Sequence, residues 1–211
     1  MIEVVQGTDE WKALRCGKVT ASRVADIVRR TKTGYSTSRA NYMAELIAER
    51  LTDIPAESYK SAAMQWGTDN EASARVAYQL IRDCDVEAVG FVAHPTFQMA
   101  GASPDGFVGD DGLVEFKCPL TATHLDTLLG QGIDKDYITQ VQWQMACTGR
   151  QWCDWVSFDP RMPATMQLHI QRVPRADAQI AELEKEVAAF LVELEAKLTE
   201  LRSRFETKAA A

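Results

Sequence analysis

Residues 101–120 read GASPDGFVGDDGLVEFKCPL, and this stretch decides the fold. Two apolar runs flank the segment GDDG at 109–112, a pattern that predicts two strands joined by a tight hairpin turn. Glu115 and Lys117 lie two residues apart on the second strand, so their side chains are expected on the same face. Asp105 stands ten residues before Glu115, at a strand end or turn, and a hairpin can bring the two carboxylates together.

The amino-terminal segment predicts short helices. Residues 8–31 read as a helix, a turn and a second helix that begins near Ala21. The hydroxyls of Thr20 and Ser22 are available to cap that second helix. The turn-rich residues 31–38, TKTGYSTS, predict a loop.

Helical spacing of apolar residues predicts two longer helices before the hairpin, over 39–52 and 61–82. Gly67 is the point at which the second of them could break. The pattern then changes to β-branched and aromatic residues between turn signals, which predicts three short strands within 86–95, 97–109 and 112–119.

After the hairpin, the sequence predicts a helix over 134–148, two strands beginning at 152 and 165, and a long helix over about 175–207. The apolar stripe of this last helix either packs on the core or forms a subunit contact. The whole order predicts a single α/β (α+β) domain over 1–211, with a central mixed sheet flanked by helices.

Composition limits the possible classes of protein. No apolar run approaches the ~20 residues that cross a bilayer, and the start of the chain lacks a signal-peptide pattern, so we expect a cytoplasmic protein without membrane contact. Five cysteines without a Cys-x-x-Cys pair indicate reduced thiols. The net charge of −7 argues against a nucleic-acid partner. However, eight basic residues and one acidic residue lie between Lys12 and Arg39, which is either a stripe that neutralises phosphates or a solvated helix face.

The hairpin carries the residues suited to chemistry. The carboxylates of Asp105 and Glu115 and the carbonyl of Phe116 are hard oxygen ligands of the kind that Mg²⁺ prefers, and Mn²⁺ takes the same ligands. Lys117 can position a water or stabilise developing charge, and Glu71 is the candidate ligand for a second ion. The alternative is a surface salt bridge between Glu115 and Lys117. The apolar setting of the strand favours a functional site, because unpaired charge there is costly.

Pro104-Asp105 followed by Glu115-Phe116-Lys117 resembles the signature of the PD-(D/E)XK nucleases. A longer ordered set, over roughly residues 8 to 162, resembles the phage lambda exonuclease-like proteins, the YqaJ-type viral recombinase family. Its segments are Trp11-x-x-Leu14-Arg15-x-Gly17-x-x-Thr20-Ala21-Ser22, Trp66-Gly67-x-x-x-Glu71-x-x-Ala74-Arg75, Ser103-Pro104-Asp105-Gly106, Glu115-x-Lys117-Cys118-Pro119, Tyr137-x-x-Gln140-Val141-Gln142 and Asp159-Pro160-Arg161-Met162.

This resemblance implies a restriction-endonuclease-like core and a Mg²⁺-dependent exonuclease that degrades one strand of duplex DNA from its 5′ end. Such enzymes release 5′-mononucleotides and leave 3′ single-stranded tails. The family implies a ring-shaped homotrimer, encoded by a phage or prophage, that passes the tail to a single-strand annealing protein for recombination in the bacterial cytoplasm.

The resemblance also implies roles for individual residues. Asp105, Glu115 and the Phe116 carbonyl match the ligands of one or two metal ions, and Lys117 matches the catalytic lysine. The further residues match an additional active-site acid (Glu71), an active-site glutamine (Gln140), a 5′-phosphate pocket (Arg15, Ser22 and Ser103), a wedge that parts the strands (Met64) and a DNA contact (Lys32).

For some of these residues the sequence leaves ordinary alternatives open. Arg15 could be a surface ion-pair partner, Ser22 a helix cap, Gln140 a solvated helix residue and Met64 a core residue. One position departs from the family: Thr123 stands where relatives can carry a phosphate-binding arginine. A neighbour such as His124 is the candidate substitute, and the strength of the 5′-phosphate preference is open. His94 and His169 receive no role.

Two other functions remain as alternatives. A structure- or site-specific endonuclease would use the same metal site, but a pocket for a 5′-phosphate has no use on uncut DNA. A non-catalytic DNA-binding module would not require the Asp105, Glu115 and Lys117 set.

Overall fold

The computed structural model describes residues 4–56 and 61–205 of the chain. Helix α1 (Asp9–Arg15) begins after Thr8, whose hydroxyl accepts a hydrogen bond from the Trp11 N–H. The next segment is a short strand, β1 (Val19–Thr20), and a 3-10 turn (Ala21–Arg23) then leads into α2 (Val24–Val28).

The predicted cap by Thr20 and Ser22 is therefore wrong. Thr20 belongs to β1, pairs with Gly101 and makes no side-chain cap bond. Ser22 lies within the 3-10 turn, and Arg23 occupies the position before α2. The hydroxyl-rich pattern was misleading because strand pairing with a distant segment determines the backbone here.

Two further expectations near the amino terminus are corrected. The predicted loop at 31–38 contains a small hairpin, β2 (Arg30–Thr31) and β3 (Gly34–Tyr35), and the start of α3 (Thr37–Thr52). Helix α4 (Ala62–Arg82) runs without a break through Gly67.

The central sheet has four strands in the order β6-β7-β8-β9, which are Gly106–Val108, Gly112–Lys117, Trp152–Phe158 and Leu168–Pro174. The pair β7 and β8 is parallel and the two outer pairs are antiparallel, so the predicted mixed sheet is confirmed. The tight turn at 109–112 is also confirmed. The crossover from β7 to β8 contains α6 (Lys135–Thr148), as predicted, and a helix that was not predicted, α5 (Thr121–Leu128).

A second, smaller sheet holds β1, β5 (Ala100–Ala102) and β4 (Val92–Ala93). The predicted strand over 97–109 is therefore two strands in two sheets. The break falls at residues 103–105, where Pro104 lacks the N–H that a ladder requires. Asp105 consequently sits at the junction of the two sheets.

Helix α7 (Asp177–Phe205) packs across the domain. This is the first of the two alternatives that the sequence left open for its apolar stripe. The predicted end at 207 lies outside the described residues. Phe190 stacks on Tyr42 at a ring-centroid distance of 5.9 Å. Within the described ranges, no helix is long and apolar enough to cross a bilayer. The buried face of α7 consists of Ile180, Leu183, Val187, Phe190, Leu194 and Leu198.

His94 is a core residue beside this helix. Its ring stacks on Phe97 and Trp143 at centroid distances of 4.6 and 4.9 Å. The Nδ1 atom accepts the backbone N–H groups of Thr96 and Phe97, so the proton of the neutral ring is on Nε2. Nε2 lies 3.2 Å from Oε1 of Glu184. Burial lowers the pKa of His94, and the charge of Glu184 opposes this change.

Candidate active site

The end of β7 presents Glu115 and Lys117 on one face of the central sheet, as the sequence predicts. Nζ of Lys117 lies 2.6 Å from Oε1 of Glu115. Glu115 is only 3% exposed, and a carboxylate at such depth requires hydrogen-bond donors around it. The salt bridge between Glu115 and Lys117 that was the alternative interpretation therefore exists, but it is buried and not on the surface.

Helix α6 supplies two of the donors. Nε2 of Gln140 donates to Oε1 of Glu115 at 2.5 Å, and Nε2 of Gln144 donates to Oε2 at 2.7 Å. The two glutamines are four residues apart, so they lie on one face of the helix. Gln140 also accepts from Nζ of Lys117 at 3.5 Å, so it is not a solvated helix residue. Gln144 was assigned no site role from the sequence.

Asp105 joins this group from the sheet junction. Its Oδ2 accepts the backbone N–H of Phe116 at 2.6 Å, in the place where a further β6 residue would otherwise pair. The N–H and C=O of one strand residue point to the same edge, so the Phe116 carbonyl faces the side of Asp105. Arg75 holds the turn, because its Nη2 donates to the Asp105 carbonyl at 2.5 Å. A Cβ at Gly106 would come within 2.2 Å of Val86, so only glycine permits this close approach.

The charges of these groups influence one another strongly. Burial and the negative charge of Glu115 raise the pKa of Asp105 well above its ordinary value. Burial also raises the pKa of Glu71, an effect that Arg75 opposes and Glu115 increases. Burial lowers the pKa of Lys117, but the carboxylates of Glu115 and Asp105 outweigh this effect and raise the pKa above its ordinary value. The lysine is therefore a charged donor in this arrangement, and the carboxylates form a site that favours a cation.

The donor set fits a magnesium ion. Asp105, Glu115 and the Phe116 carbonyl supply oxygen ligands, and Mg²⁺ usually keeps several waters in addition to one or two carboxylates. Among residues 4–56 and 61–205, no three His, Cys, Asp or Glu side chains gather closely enough to hold a metal. Glu71 is near enough to affect the pKa of Asp105 but does not complete such a group.

A second set of predicted residues is connected to Ser103, which lies two residues before Asp105 in the chain. The guanidinium of Arg15 lies over the Trp11 ring at 3.9 Å, and Nε1 of Trp11 donates to Oγ of Ser103 at 3.0 Å. In the described part of the chain Arg15 has no carboxylate partner at salt-bridge distance, in contrast to the surface ion pair that was the alternative. Ser22 is exposed on the 3-10 turn, and no hydrogen bond connects it to Arg15 or Ser103 among the described contacts.

The two predicted DNA contacts are on the surface. Met64 is 53% exposed in the first turn of α4, so the core-packing alternative is wrong. Lys32 is exposed in the turn between β2 and β3.

Thr123 is exposed on α5 and lines a cavity of about 220 Å³ with Tyr137 and Trp155. The suggestion that His124 replaces the missing arginine is wrong. His124 is fully buried, and its two ring nitrogens are 2.7 Å from Oγ of Ser157 and 2.8 Å from the Met166 carbonyl. Neither nitrogen is free for a phosphate.

The Asp159-Pro160-Arg161-Met162 motif supports the start of α4. Asp159 is fully buried and accepts from Nε and Nη2 of Arg161 at 2.7 and 2.9 Å, and from Thr121 at 2.7 Å. The guanidinium of Arg161 lies over the Trp66 ring at 4.1 Å. Met64 lies two residues before Trp66, in the first turn of α4. The ion pair between Arg161 and Asp159 therefore supports the turn that carries Met64.

Comparison with known proteins gives a consistent result. The family model of the YqaJ-like viral recombinase domain matches residues 10–151. Two solved structures of one protein, the alkaline exonuclease LHK-Exo from Laribacter hongkongensis and LHK-Exo in complex with dAMP, are each 52% identical to the chain with a TM-score of 0.88. Each match covers 95% of this chain and 99% of the other.

A more distant structure shares the fold. It is a phage related exonuclease from Haemophilus somnus 129PT, with 15% identity, a TM-score of 0.67, and coverage of 87% of this chain and 96% of that one. No curated protein matches the sequence.

Proposed function

The chain belongs to the YqaJ-like viral recombinase family, and on that basis we propose that it is a Mg²⁺-dependent exonuclease that degrades double-stranded DNA from its 5′ ends. At a coarser level, it is a nuclease of recombination with the fold of the PD-(D/E)XK exonucleases. The main support for a metal-dependent exonuclease is the local arrangement of one charged lysine and several oxygen ligands. Lys117 contacts Glu115, and Asp105 contacts the backbone of Phe116, whose carbonyl is the third oxygen ligand.

The residues of the site can each perform a defined part of phosphodiester hydrolysis. A bound Mg²⁺ would supply charge neutralisation at the scissile phosphate and a more acidic water. Asp105 and Glu115 would hold it together with the Phe116 carbonyl. Lys117 is a charged donor that can orient the attacking water or stabilise developing negative charge. Gln140 contacts both Glu115 and Lys117, so it can hold the lysine when the lysine leaves the carboxylate.

The preference for ends rests on Arg15 and Ser103. A guanidinium grips a phosphate with two parallel bonds, and Arg15 is connected through Trp11 to Ser103, two residues before Asp105. Ser103 accepts from Trp11, which leaves its own hydroxyl hydrogen for a phosphate oxygen. A pocket of this kind next to the reacting centre favours an exonuclease over an endonuclease.

The remaining features of the proposal come from the family resemblance. We propose 5′→3′ polarity, release of 5′-mononucleotides and a 3′ tail that passes to a phage single-strand annealing protein in the bacterial cytoplasm. The dAMP in a structure of a similar protein is a deoxymononucleotide, the class of product expected here. The ring-shaped homotrimer belongs to the same proposal, as do the wedge role of Met64 and the DNA contact by Lys32.

The test is digestion of linear duplex DNA that carries a labelled 5′-phosphate, with Mg²⁺ or with EDTA. Wild type is expected to release labelled mononucleotide only with Mg²⁺, and Lys117→Ala is expected to lose this activity. The matched control is Lys185→Ala, which removes an exposed lysine from α7.

Other outcomes would replace the proposal. Cutting of closed circular DNA would make the protein an endonuclease. Binding of DNA ends without cleavage in any metal would leave a DNA-binding module. If DNA labelled at its 3′ ends released labelled mononucleotide first, while the 5′-labelled DNA did not, the polarity would be reversed.

A further inference from the structure

Both oxygens of the Glu115 carboxylate accept hydrogen bonds from protein donors. Lys117 and Gln140 both bind Oε1, at 2.6 and 2.5 Å, and Gln144 alone binds Oε2, at 2.7 Å. A cation that binds Oε1 must displace Lys117 or Gln140, and one that binds Oε2 must share that oxygen with Gln144 or displace it.

The three donors differ in how easily they can leave. The side chain of Lys117 is 22% exposed, and Gln140 is half-buried at the edge of the same cleft. Gln144 is 0% exposed in the interior of α6, where no solvent can replace its bond to Oε2. Release of a buried donor leaves both groups unsatisfied, which costs free energy on the order of 1–3 kcal/mol for each. Oε1 is consequently the oxygen that can be vacated.

A second observation concerns the other end of Gln144. Its Oε1 atom is buried and has no hydrogen-bond partner within the described ranges. An apolar side chain of similar size would avoid this cost. The one interaction that the amide makes is the bond to Glu115, so that bond is the reason for a glutamine here.

We propose that Gln144 is a positioning residue that reserves Oε2 of Glu115, so that a cation binds this carboxylate through Oε1 alone, and that Gln144 thereby favours Mg²⁺ over Ca²⁺. The inference rests on the proposed metal-dependent function. Mg²⁺ demands six ligands in near-ideal octahedral geometry, to which a carboxylate contributes one oxygen. Ca²⁺ takes six to eight ligands and accepts both oxygens of a carboxylate. A carboxylate with one oxygen withheld suits the smaller ion.

The test compares binding of Mg²⁺ and Ca²⁺ by isothermal titration calorimetry, in the absence of DNA. Gln144→Met removes the donor with little change of volume. The matched control is Gln142→Met on the same helix. Gln142 is also buried, but its side chain bonds the Pro174 carbonyl and the Ala176 N–H, away from Glu115. Asp105→Asn identifies the part of the signal that belongs to the site.

The expected result is a loss of discrimination. In Gln144→Met, the dissociation constant for Mg²⁺ rises about tenfold, as is typical when a residue that orients a metal ligand is changed. The constant for Ca²⁺ rises less or falls, so the preference for Mg²⁺ declines. In Gln142→Met the preference stays as in wild type. If Gln144→Met does not fold, Gln144→Asn serves instead, because its amide is one methylene too short to reach Oε2.

Two outcomes would overturn the inference. One is an unchanged preference for Mg²⁺, which includes equal weakening of both cations, and the other is an equal loss of preference in Gln142→Met. Digestion by wild type in Mg²⁺, run in parallel, separates this inference from the proposed function. Active wild type with an unchanged preference removes only the role of Gln144. If the wild-type protein shows neither Mg²⁺-dependent cleavage nor metal binding that depends on Asp105, both the proposed function and the role of Gln144 are rejected.

Discussion

Trp11 and Ser103, 92 residues apart in the chain, are joined by a hydrogen bond of 3.0 Å from the indole Nε1 to the serine Oγ. The same indole ring lies under the guanidinium of Arg15. Helix α1 is thereby fixed to the strand end that carries Asp105. Trp11 therefore contributes to the position of Arg15 relative to Asp105, together with Gln6, which donates to the Pro104 carbonyl at 2.8 Å.

Arg15→Lys is expected to remove most of the preference for 5′-phosphorylated ends. A lysine keeps the charge but loses the planar fork that binds a phosphate twice and stacks on Trp11. The measurement is the ratio of digestion rates on 5′-phosphate and 5′-hydroxyl ends, which should fall by about tenfold or more, the equivalent of one charge-assisted hydrogen bond. The control is Lys12→Ala on the same helix, where an exposed lysine pairs with Asp9. An unchanged ratio in Arg15→Lys would show that the phosphate is bound elsewhere.

Met64→Ala is expected to separate activity from stability. The side chain is largely exposed, so the free energy of unfolding should change by no more than about 0.5 kcal/mol. Digestion of fully paired ends should slow, whereas ends with several unpaired bases should be digested at the wild-type rate. Leu80→Ala, which changes an exposed residue near the other end of α4, is the control. Equal slowing on paired and unpaired ends would rule out a role in parting the strands.

Gly67→Ala is expected to stabilise the protein. Gly67 lies inside an unbroken helix, where alanine is favoured over glycine by about 0.5–1 kcal/mol. A Cβ at this position would meet only the Cys118 carbonyl, at an ordinary contact distance of 3.9 Å. Chemical denaturation measures the difference. A loss of stability would mean that α4 needs the freedom of glycine at this point.

Protonation of His94 is expected to make the free energy of unfolding depend on pH. Burial lowers its pKa in the folded protein below the ordinary value of 6.5, so the unfolded chain binds the proton more tightly. The contribution of the neutral ring is therefore complete above about pH 6.5 and is lost as the pH falls below it. The free energy of unfolding of His94→Gln should be lower than wild type at pH 7.5 but should fall less between pH 7.5 and 5. His169→Gln, on β9, is the control, and parallel pH curves for wild type and His94→Gln would contradict the assignment.

The sequence predicts the parts of the site that depend on local geometry. Glu115 and Lys117 share a face because strand side chains alternate, and the turn at 109–112 carries its own signal. Pairing between distant strands is not encoded by local sequence, so Thr20 was taken for a helix cap and residues 97–109 for one strand. The inward orientation of His124 likewise depends on contacts with Ser157 and Met166, far along the chain.

Gln144 was missed for a different physical reason. A glutamine four residues from Gln140 has no distinctive pattern on a helix that is apolar on most of its buried face. Its role becomes visible only when the depth of Glu115 is known, because only a buried carboxylate needs a donor for each oxygen.

Because α4 is continuous through Gly67, the distance between Met64 and Glu71 along the helix is fixed. Met64 and Glu71 are seven residues apart on one rigid rod, which at 1.5 Å per residue places them about 10 Å apart along its axis. Successive nucleotides of a stacked strand are about 3.4 Å apart, so this interval spans about three of them. If Met64 meets the last base pair while Glu71 borders the cleavage centre, the number of bases unzipped ahead of each cut is fixed by helix geometry and not by the sequence of the DNA.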